Sequence, residues 1–248
     1  PSLIQVTFLE NNAATGAGMF NSGSSPSLMN VTFSGNTASN GGGMWSRSSS
    51  PRLINVTFSG NTASSGGGGM YNLSASPILY NTLFHSNTAA TTPDIHGTNI
   101  NSNSSHNASD GTGGSINTGT GFVNLSGVDS NTLFVNPSDP DGADNIWRTK
   151  DDGLVPLTGS ALAGVGSPTI APTTDILGEI RSNPPSIGAY DEILPPTDLQ
   201  IDGSNTAKIR ENNPSGSVVG TLSTTDSSTA DTHRYTLVSG TGDTDNTS

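Results

Sequence analysis

The chain contains no cysteine, and charged residues make up only 11% of its 248 residues. A typical soluble domain carries about 25% charged residues. Without cysteine there is no disulfide framework and no thiolate metal site, although this absence does not fix the cellular compartment. No apolar run approaches the roughly 18 residues of a membrane span, and no secretory signal peptide is recognisable. The sequence therefore predicts no membrane-spanning segment.

Basic residues are also scarce, which limits the possible partners. Lys and Arg total 8 against 20 Asp and Glu, so the net charge is −12. Only Arg47 and Arg52 occur before Asn145. A surface that binds nucleic acid needs clusters of Lys or Arg to neutralise phosphates. The composition therefore excludes nucleic acid as a partner.

The chain is rich in glycine, with 31 residues, and it contains a repeated sequence pattern. Pro26–Ala38 returns almost letter for letter as Pro51–Ala63, a shift of 25 residues. A fixed period between about 20 and 50 residues indicates a solenoid. Three columns recur at this period: Phe8, Phe33, Phe58 and Phe84; Asn11, Asn36, Asn61 and Asn87; Met19, Met44 and Met70.

Each repeat contains short apolar runs rich in β-branched and aromatic residues, separated by Ser, Gly, Asn and Thr. This composition predicts strands and turns. Strands this short cannot bury a core alone, but successive coils stacked about 4.8 Å apart can. The sequence thus predicts an all-β fold, a single-stranded parallel β-helix over residues 1–135.

Strand alternation also predicts a bend within each repeat. Side chains alternate between the two faces of a strand, so Val56 and Phe58 lie on one face and Leu53 on the other. All three can face the core only if the backbone bends or bulges near Asn55. At that bend we expect Asn30, Asn55 and Asn81 to stack in a hydrogen-bonded ladder. The glycines before each Met predict a positive φ or a close backbone approach.

The motifs Phe-x-x-Asn, as in Phe33–Asn36 and Phe58–Asn61, and Gly-Gly-Met, as in Gly42–Met44 and Gly68–Met70, resemble the repeats of chlamydial polymorphic outer-membrane proteins. The chain departs from that pattern at Gly43 and Gly69, where the family usually has Ala. The resemblance implies a right-handed β-helix of the pectin-lyase-like kind on a bacterial cell surface.

Residues 136–193 are predicted to form irregular closing coils of the β-helix with an acidic loop. The run from Asn131–Pro137 to Ile187–Asp191 is similar to the C-terminal part of bacterial choice-of-anchor Q proteins. That resemblance implies export and a surface anchor further along the chain. Because the chain begins within one repeat and ends within another pattern, we expect an internal fragment, whose partners include the missing remainder of the same chain.

After Pro195-Pro196, residues 194–248 show short strand patterns at sandwich spacing. Glu211–Gly216, Val218–Leu222 and Tyr235–Leu237 resemble the first part of a bacterial cadherin-like domain, which implies a partial β-sandwich. Glu211 matches the Ca²⁺-binding Glu of that family, and Asp226 matches the first Asp of its Asp-x-Asp motif. Ser228 stands where the second Asp belongs.

The richest group of carboxylates lies in the closing segment and is a candidate calcium site, because clustered oxygen ligands suit Ca²⁺. It departs from the EF-hand pattern, with Ala143 at a ligand position. The alternative is a solvated acidic turn that caps the solenoid. The candidate ligands are Asp139, Asp141, Asp144, Asp151 and Asp152.

A column of aromatic residues follows the Met column: Phe20, Trp45 and Tyr71. If Met faces inward, alternation turns these rings outward, which predicts a stripe that contacts carbohydrate. The alternative is a stacked ladder that packs under a loop. His85, His96 and His106 are scattered, and we expect them to be ordinary surface residues.

These features predict a non-enzymatic, exported bacterial surface protein in the extracellular space. Its expected role is that of an adhesin or a structural stalk, with glycans or neighbouring cell-surface proteins as partners. Two alternatives remain: calcium-dependent self-association through the cadherin-like part, and a polysaccharide lyase or glycoside hydrolase. A hydrolase needs two carboxylates about 5–10 Å apart, and before Asp94 the coils offer only Glu10.

Overall fold

The repeated segments fold as short parallel strands that stack in a right-handed β-solenoid of about four turns, which confirms the predicted parallel β-helix. The computed structural model describes residues 1–97, 100–111, 119–194, 198–201 and 222–225, the last two ranges by backbone alone. The chain divides into two compact units, Pro1–Ile193 and Leu194–Ser248.

Three parallel sheets form the sides of the solenoid. In sheet A the strand order is β1-β3-β6-β10-β13-β14, and β9 also pairs with β6. Sheet B has the order β4-β7-β11, and sheet C the order β2-β5-β8-β12. The strands are β1 (Ser2–Leu9), β2 (Met19–Ser22), β3 (Ser27–Ser34), β4 (Thr37–Asn40), β5 (Met44–Arg47), β6 (Arg52–Ser59), β7 (Thr62–Gly66), β8 (Met70–Leu73), β9 (Ile78–Tyr80), β10 (Leu83–His85), β11 (Thr88–Thr91), β12 (Ile95–His96), β13 (Ala108–Ser109) and β14 (Val123–Asn124).

Because the strands pair in parallel at the repeat period, identical residues lie side by side. Phe33 pairs with Phe58, and Phe58 pairs with Phe84. Their rings stack with centroids 4.7 Å apart, which is the spacing of neighbouring strands. The Phe column and the Met column meet inside the solenoid, where Met44 and Met70 are fully buried. The core is therefore a set of stacked columns.

The bend predicted near Asn55 is present in every regular coil. Asn30, Asn55 and Asn81 have φ values of 51°, 50° and 49°, and Gln5 occupies the same place in the first coil with φ 53°. Asn tolerates this left-handed conformation better than most residues. The bend brings both Leu53 and Val56 into the core.

The close backbone approach predicted for the glycines before each Met is also observed. A Cβ atom on Gly43 would lie 2.6 Å from the Gly69 carbonyl oxygen and 2.7 Å from Cδ1 of Phe58. Gly41 supplies the positive φ, at 63°, that turns the chain into sheet C. Only glycine fits the corner at Gly43 without displacing its neighbours.

The hydrogen-bonded asparagine ladder forms mainly in a different column from the one predicted. Asn11, Asn36 and Asn61 each donate a side-chain N–H to the Oδ1 of the next member of their column, at 2.9, 2.9 and 3.0 Å. In the Asn30, Asn55 and Asn81 column a single such contact exists, from Asn81 to Asn55 at 3.2 Å. The other side chains in that column face outward.

Residues 133–193 cover the outer face of sheet A, to which they add no strand. Leu83 and Ala108 on that face form an apolar cluster with Leu133, Phe134 and Ile187 from the covering segment. The bend residues hold the segment in place: Gln5 donates to the Asp175 carbonyl, Asn30 to that of Thr174, and Asn55 to that of Gly188. We call residues 133–193 the closing segment.

In the second unit, β15 (Asp198–Ile201) and β16 (Leu222–Thr225) pair in antiparallel register. The other strands predicted for a cadherin-like sandwich lie outside the described residues. Among the residues that the structure describes, no helix is long and apolar enough to cross a membrane.

Candidate ligand-binding surface and acidic loop

The predicted aromatic column lies on the outer face of sheet C. Phe20 pairs with Trp45, Trp45 with Tyr71, and Tyr71 with His96. The preceding Met residues point into the core, so strand alternation places these four rings outside. His96 is thus the fourth member of the column, not an isolated histidine. Its position 25 residues after Tyr71 was the available signal.

The rings of this column form two stacked pairs along the solenoid. Phe20 and Trp45 lie with centroids 4.5 Å apart at an interplanar angle of 8°, and Tyr71 and His96 lie 4.3 Å apart at 13°. Stacked rings cover each other's faces and turn their edges to solvent. Phe20 is 53% exposed, whereas Trp45 is only 8% exposed. Phe20 lies on β2, the end strand of sheet C, where only one neighbouring coil covers its ring, and Tyr71 is half-buried, so both are more exposed than Trp45.

Two further side chains extend the outer face of sheet C. Arg47 and Leu73 lie two residues beyond Trp45 and Tyr71 on the same side of their strands, and they pair with each other in register. Arg47 is exposed, and Leu73 is 44% exposed. We call the set Phe20, Trp45, Tyr71, His96, Arg47 and Leu73 the aromatic stripe. It combines apolar area with one cation.

The predicted acidic loop folds around the hydroxyl of Thr149. Its Oγ1 lies 2.7 Å from Asp151 Oδ1, 3.3 Å from Asp152 Oδ1 and 3.5 Å from Asp144 Oδ1. The Ile146 carbonyl oxygen is 2.9 Å away. One hydroxyl proton cannot satisfy four acceptors, but backbone N–H groups of the loop also supply two of them: Ile146 donates to Asp144 Oδ1 at 2.8 Å, and Thr149 donates to Asp152 Oδ1 at 3.3 Å. Asp139 and Asp141 contribute no side-chain oxygen to this group.

Asp152 also has a structural task. It is fully buried, it accepts the Arg148 backbone N–H at 2.8 Å, and it accepts the Tyr190 hydroxyl at 2.6 Å. Burial raises the pKa of Asp152, whereas the hydrogen bond from Thr149 lowers the pKa of the exposed Asp151. Asp152 therefore joins the acidic loop to the end of the closing segment.

Oxygen donors of this kind suit a hard cation such as Ca²⁺. In the described part of the chain, however, no three acidic or histidine side chains are arranged as a metal site. Glu211 and Asp226, the candidate ligands of the cadherin-like part, lie outside the described residues. Calcium binding stays a prediction at both places.

A buried polar cluster that the sequence did not reveal ends the asparagine ladder. Asp94 is fully buried and accepts hydrogen bonds from the Asn87 side chain, the Ser109 hydroxyl and the Gly111 backbone. Burial raises the pKa of Asp94, and Asp110 nearby raises it further. With its oxygens engaged and shielded from solvent, Asp94 closes the ladder and is not placed to meet a substrate.

His85 joins this last coil to the closing segment. It is 4% exposed, its Nε2 lies 2.9 Å from Ser130 Oγ, and its ring meets Phe134 edge-on at 4.9 Å. Asp110 Oδ2 is 3.7 Å from the same nitrogen. Burial lowers the pKa of His85, so the imidazole is neutral at pH 7. His85 was predicted to be a surface residue, but the closing segment covers it.

Comparison of the chain with protein-family models, curated proteins and solved structures finds no match. The resemblances to surface proteins therefore rest on the sequence motifs alone. The aromatic stripe and the acidic loop are the two surface features that bear on function.

Proposed function

We propose that this chain is an adhesive stalk segment of an exported bacterial surface protein, which contacts glycans through the aromatic stripe. The exposed part of the stripe supports the proposal. Phe20, Tyr71 and Leu73 offer apolar area to the C–H groups of a sugar, and Arg47 offers N–H donors to its hydroxyls. Aromatic area combined with a few polar groups is a common composition of ligand sites.

The charge of the coils fits a glycan partner as well. Before Asp94 the sequence carries only Glu10, Arg47 and Arg52 as charged residues. The net charge of −12 therefore arises outside these coils, which carry a slight excess of positive charge. A weakly charged surface avoids the cost of desolvating ions when it meets an uncharged polymer.

The stalk role follows from the way the solenoid is built. Within the three sheets each coil pairs only with its neighbours, so length can be added to the sheets one repeat at a time. Continuous Phe, Met and Asn columns tie the coils together, and the closing segment braces sheet A from outside. Such a body can hold a binding surface at a distance from a cell envelope.

The test is retention of the purified chain on a panel of insoluble polysaccharides. The double variant Phe20→Ser with Tyr71→Ser removes the accessible rings, and we expect it to lose most of the retention. Ile146→Ser is the matched control, because Ile146 is 59% exposed but lies in the closing segment. Equal retention of both variants would refute the stripe as the contact surface.

We further propose that Ca²⁺ binds the acidic loop around Thr149. A cation would be held by oxygens of Asp144, Asp151 and Asp152 and by the Ile146 carbonyl, and these side chains would have to rearrange around it, because no three of them are arranged as a metal site in the described residues. Because binding only to the folded chain stabilises it, millimolar Ca²⁺ should raise the melting temperature. Asp151→Asn should reduce that rise, and Asp129→Asn, outside the loop, should not. The absence of a rise in the wild type would refute calcium binding.

The cadherin-like part remains a proposal of its own, with Glu211 and Asp226 as its candidate calcium ligands. Glu211→Gln separates it from the acidic loop. If a Ca²⁺-dependent rise in melting temperature survives Asp151→Asn but is lost in Glu211→Gln, the second unit carries the calcium site. If the Ca²⁺-dependent rise survives Glu211→Gln but is lost in Asp151→Asn, the acidic loop carries the calcium site.

A further inference from the structure

The closing segment contains a pocket that is separate from the aromatic stripe on sheet C. Its volume is about 310 Å³, at the lower end of the range for small-molecule sites. Three proline rings and one aliphatic side chain provide apolar walls, and the remaining wall is polar. The residues that matter here are Pro168, Pro172, Pro185, Ile180, Arg181 and Asn183.

Arg181 forms the fixed wall of this pocket. Its side chain is 92% buried, and its guanidinium donates to the Ala189 carbonyl at 2.7 Å and to Asn30 Oδ1 at 2.9 Å. Its Nε–H is buried and has no acceptor within the protein. An unpaired guanidinium N–H is costly, but this nitrogen has less than 1 Å² of accessible surface, so Arg181 shapes the wall and offers no free donor to a ligand.

The backbone around the pocket is held in place before any ligand arrives. The Arg181 N–H donates to the Thr173 carbonyl at 3.0 Å, and the Gly166 N–H donates to that of Pro185 at 2.7 Å. Ser182 Oγ donates to the Pro184 carbonyl at 2.8 Å. A preformed pocket spares a ligand the cost of ordering it.

The charges around Arg181 limit the class of ligand. Asp175 and Asp191 both attract the guanidinium, so two carboxylates already balance one cation. An acidic ligand would add a third negative charge in a chain of net charge −12. A cationic ligand would meet the guanidinium itself. A neutral ligand avoids both costs.

We propose that this pocket binds one neutral pyranose unit of a glycan. The proline rings and the 63% exposed Ile180 face the C–H side of the sugar ring, and the exposed side chains of Asn183 and Thr173 meet its hydroxyls. The pocket and the aromatic stripe are separate sites, so an experiment can refute glycan binding at one of them without affecting the other.

The test is methyl NMR of the chain with ¹³C-labelled Ile, titrated with methyl glucoside, methyl galactoside, methyl mannoside and, as the acidic counterpart, glucuronate. We expect at least one neutral pyranoside to shift the Ile180 signal in a saturable way, with a dissociation constant of about 1 mM. Glucuronate should bind more weakly by a factor of about ten.

Three variants keep the test specific. Asn183→Ala should weaken binding several-fold, and Thr173→Phe, which fills the opening, should abolish it. Phe20→Ser, in the stripe, should leave the titration unchanged. The proposal is overturned if no neutral pyranoside shifts the Ile180 signal, if glucuronate binds as tightly, or if Thr173→Phe still binds.

Discussion

Replacing Asn61 with Ala is the sharpest test of what holds the coils together. Asn61 is fully buried. Its Nδ2 donates to the Phe33 carbonyl at 2.9 Å and to Asn87 Oδ1 at 3.0 Å. Its Oδ1 accepts the backbone and side-chain N–H groups of Asn36, at 3.1 and 2.9 Å. The substitution therefore removes four hydrogen bonds and leaves the buried Asn36 backbone N–H without an acceptor.

The size of the effect follows from this count. At roughly 0.5–1.5 kcal/mol for each hydrogen bond, the loss is about 2–6 kcal/mol of unfolding free energy. A domain of ordinary stability has about 5–15 kcal/mol in all. Asn11→Ala is the matched control: Asn11 is exposed and donates one side-chain hydrogen bond, to Asn36. Its cost should be about 0.5–1.5 kcal/mol.

Denaturant unfolding followed by circular dichroism measures both variants, with the fluorescence of the two tryptophans, Trp45 and Trp147, as a second probe. Asn61→Asp adds a second check. It keeps the shape and the acceptor but loses the two donated bonds, and at neutral pH it brings a carboxylate against Asn87 Oδ1. The reasoning is refuted if Asn61→Ala costs no more than Asn11→Ala.

Three other perturbations follow from the packing. Gly43→Ala should destabilise the solenoid by about 3 kcal/mol, because the added Cβ would overlap a backbone oxygen. Gly60→Ala should cost only about 1 kcal/mol, because its positive φ is the sole source of strain there. Equal costs of the two variants in unfolding experiments would contradict this prediction. Because burial lowers the pKa of His85 in the folded chain, folding stability should be lost as the pH falls below about 6.5. The melting temperature of the wild type should therefore fall more steeply on acidification than that of His85→Gln. Parallel curves for the two proteins would contradict this prediction. Tyr190→Phe should cost about 1.5–3 kcal/mol, because it removes a hydrogen bond to the buried Asp152 carboxylate; hydrogen exchange should rise in the closing segment first, and an unchanged exchange pattern would exclude the bracing role.

The solenoid itself could be predicted from the sequence, because its information is local and repeated. A period of 25 residues places Phe33 beside Phe58, and the stacked rings then follow from strand spacing. The parity change between Leu53 and Val56 was enough to locate the bend. Each of these features depends only on contacts between adjacent coils that have nearly the same sequence.

The choice between the two asparagine columns could not be made in the same way. Both columns repeat with the same period, but Asn30 and Asn55 turn outward because the closing segment offers them carbonyl groups. Those partners lie 144 and 133 residues further along the chain. No periodicity within the coils encodes such a contact.

The position of the closing segment did leave a signal in the coils. Thr7, Thr32, Thr57 and Leu83 occupy one outward column of sheet A, and no charged residue occurs in it. A parallel sheet that is covered on both faces has strands of this uncharged kind. The same contact explains why His85 is buried, since it lies on that outer face under Ser130 and Phe134.

Gly43 and Gly69 are required by the packing of the coil corner. The Cβ of an Ala at Gly69 would lie 2.8 Å from the Asp94 carbonyl oxygen and 2.8 Å from Cδ1 of Phe84. The coil corner packs directly against the Phe column, so an Ala side chain does not fit there.

The most direct test of the proposed function is to incubate the chain with the polysaccharide that retains it best, and to measure both the bound protein and any released oligosaccharides. Our account predicts retention that depends on Phe20 and Tyr71, with no products released. Release of defined oligosaccharides would contradict it and would indicate a carbohydrate-active enzyme. Retention that survives the double variant would contradict the assignment of the aromatic stripe.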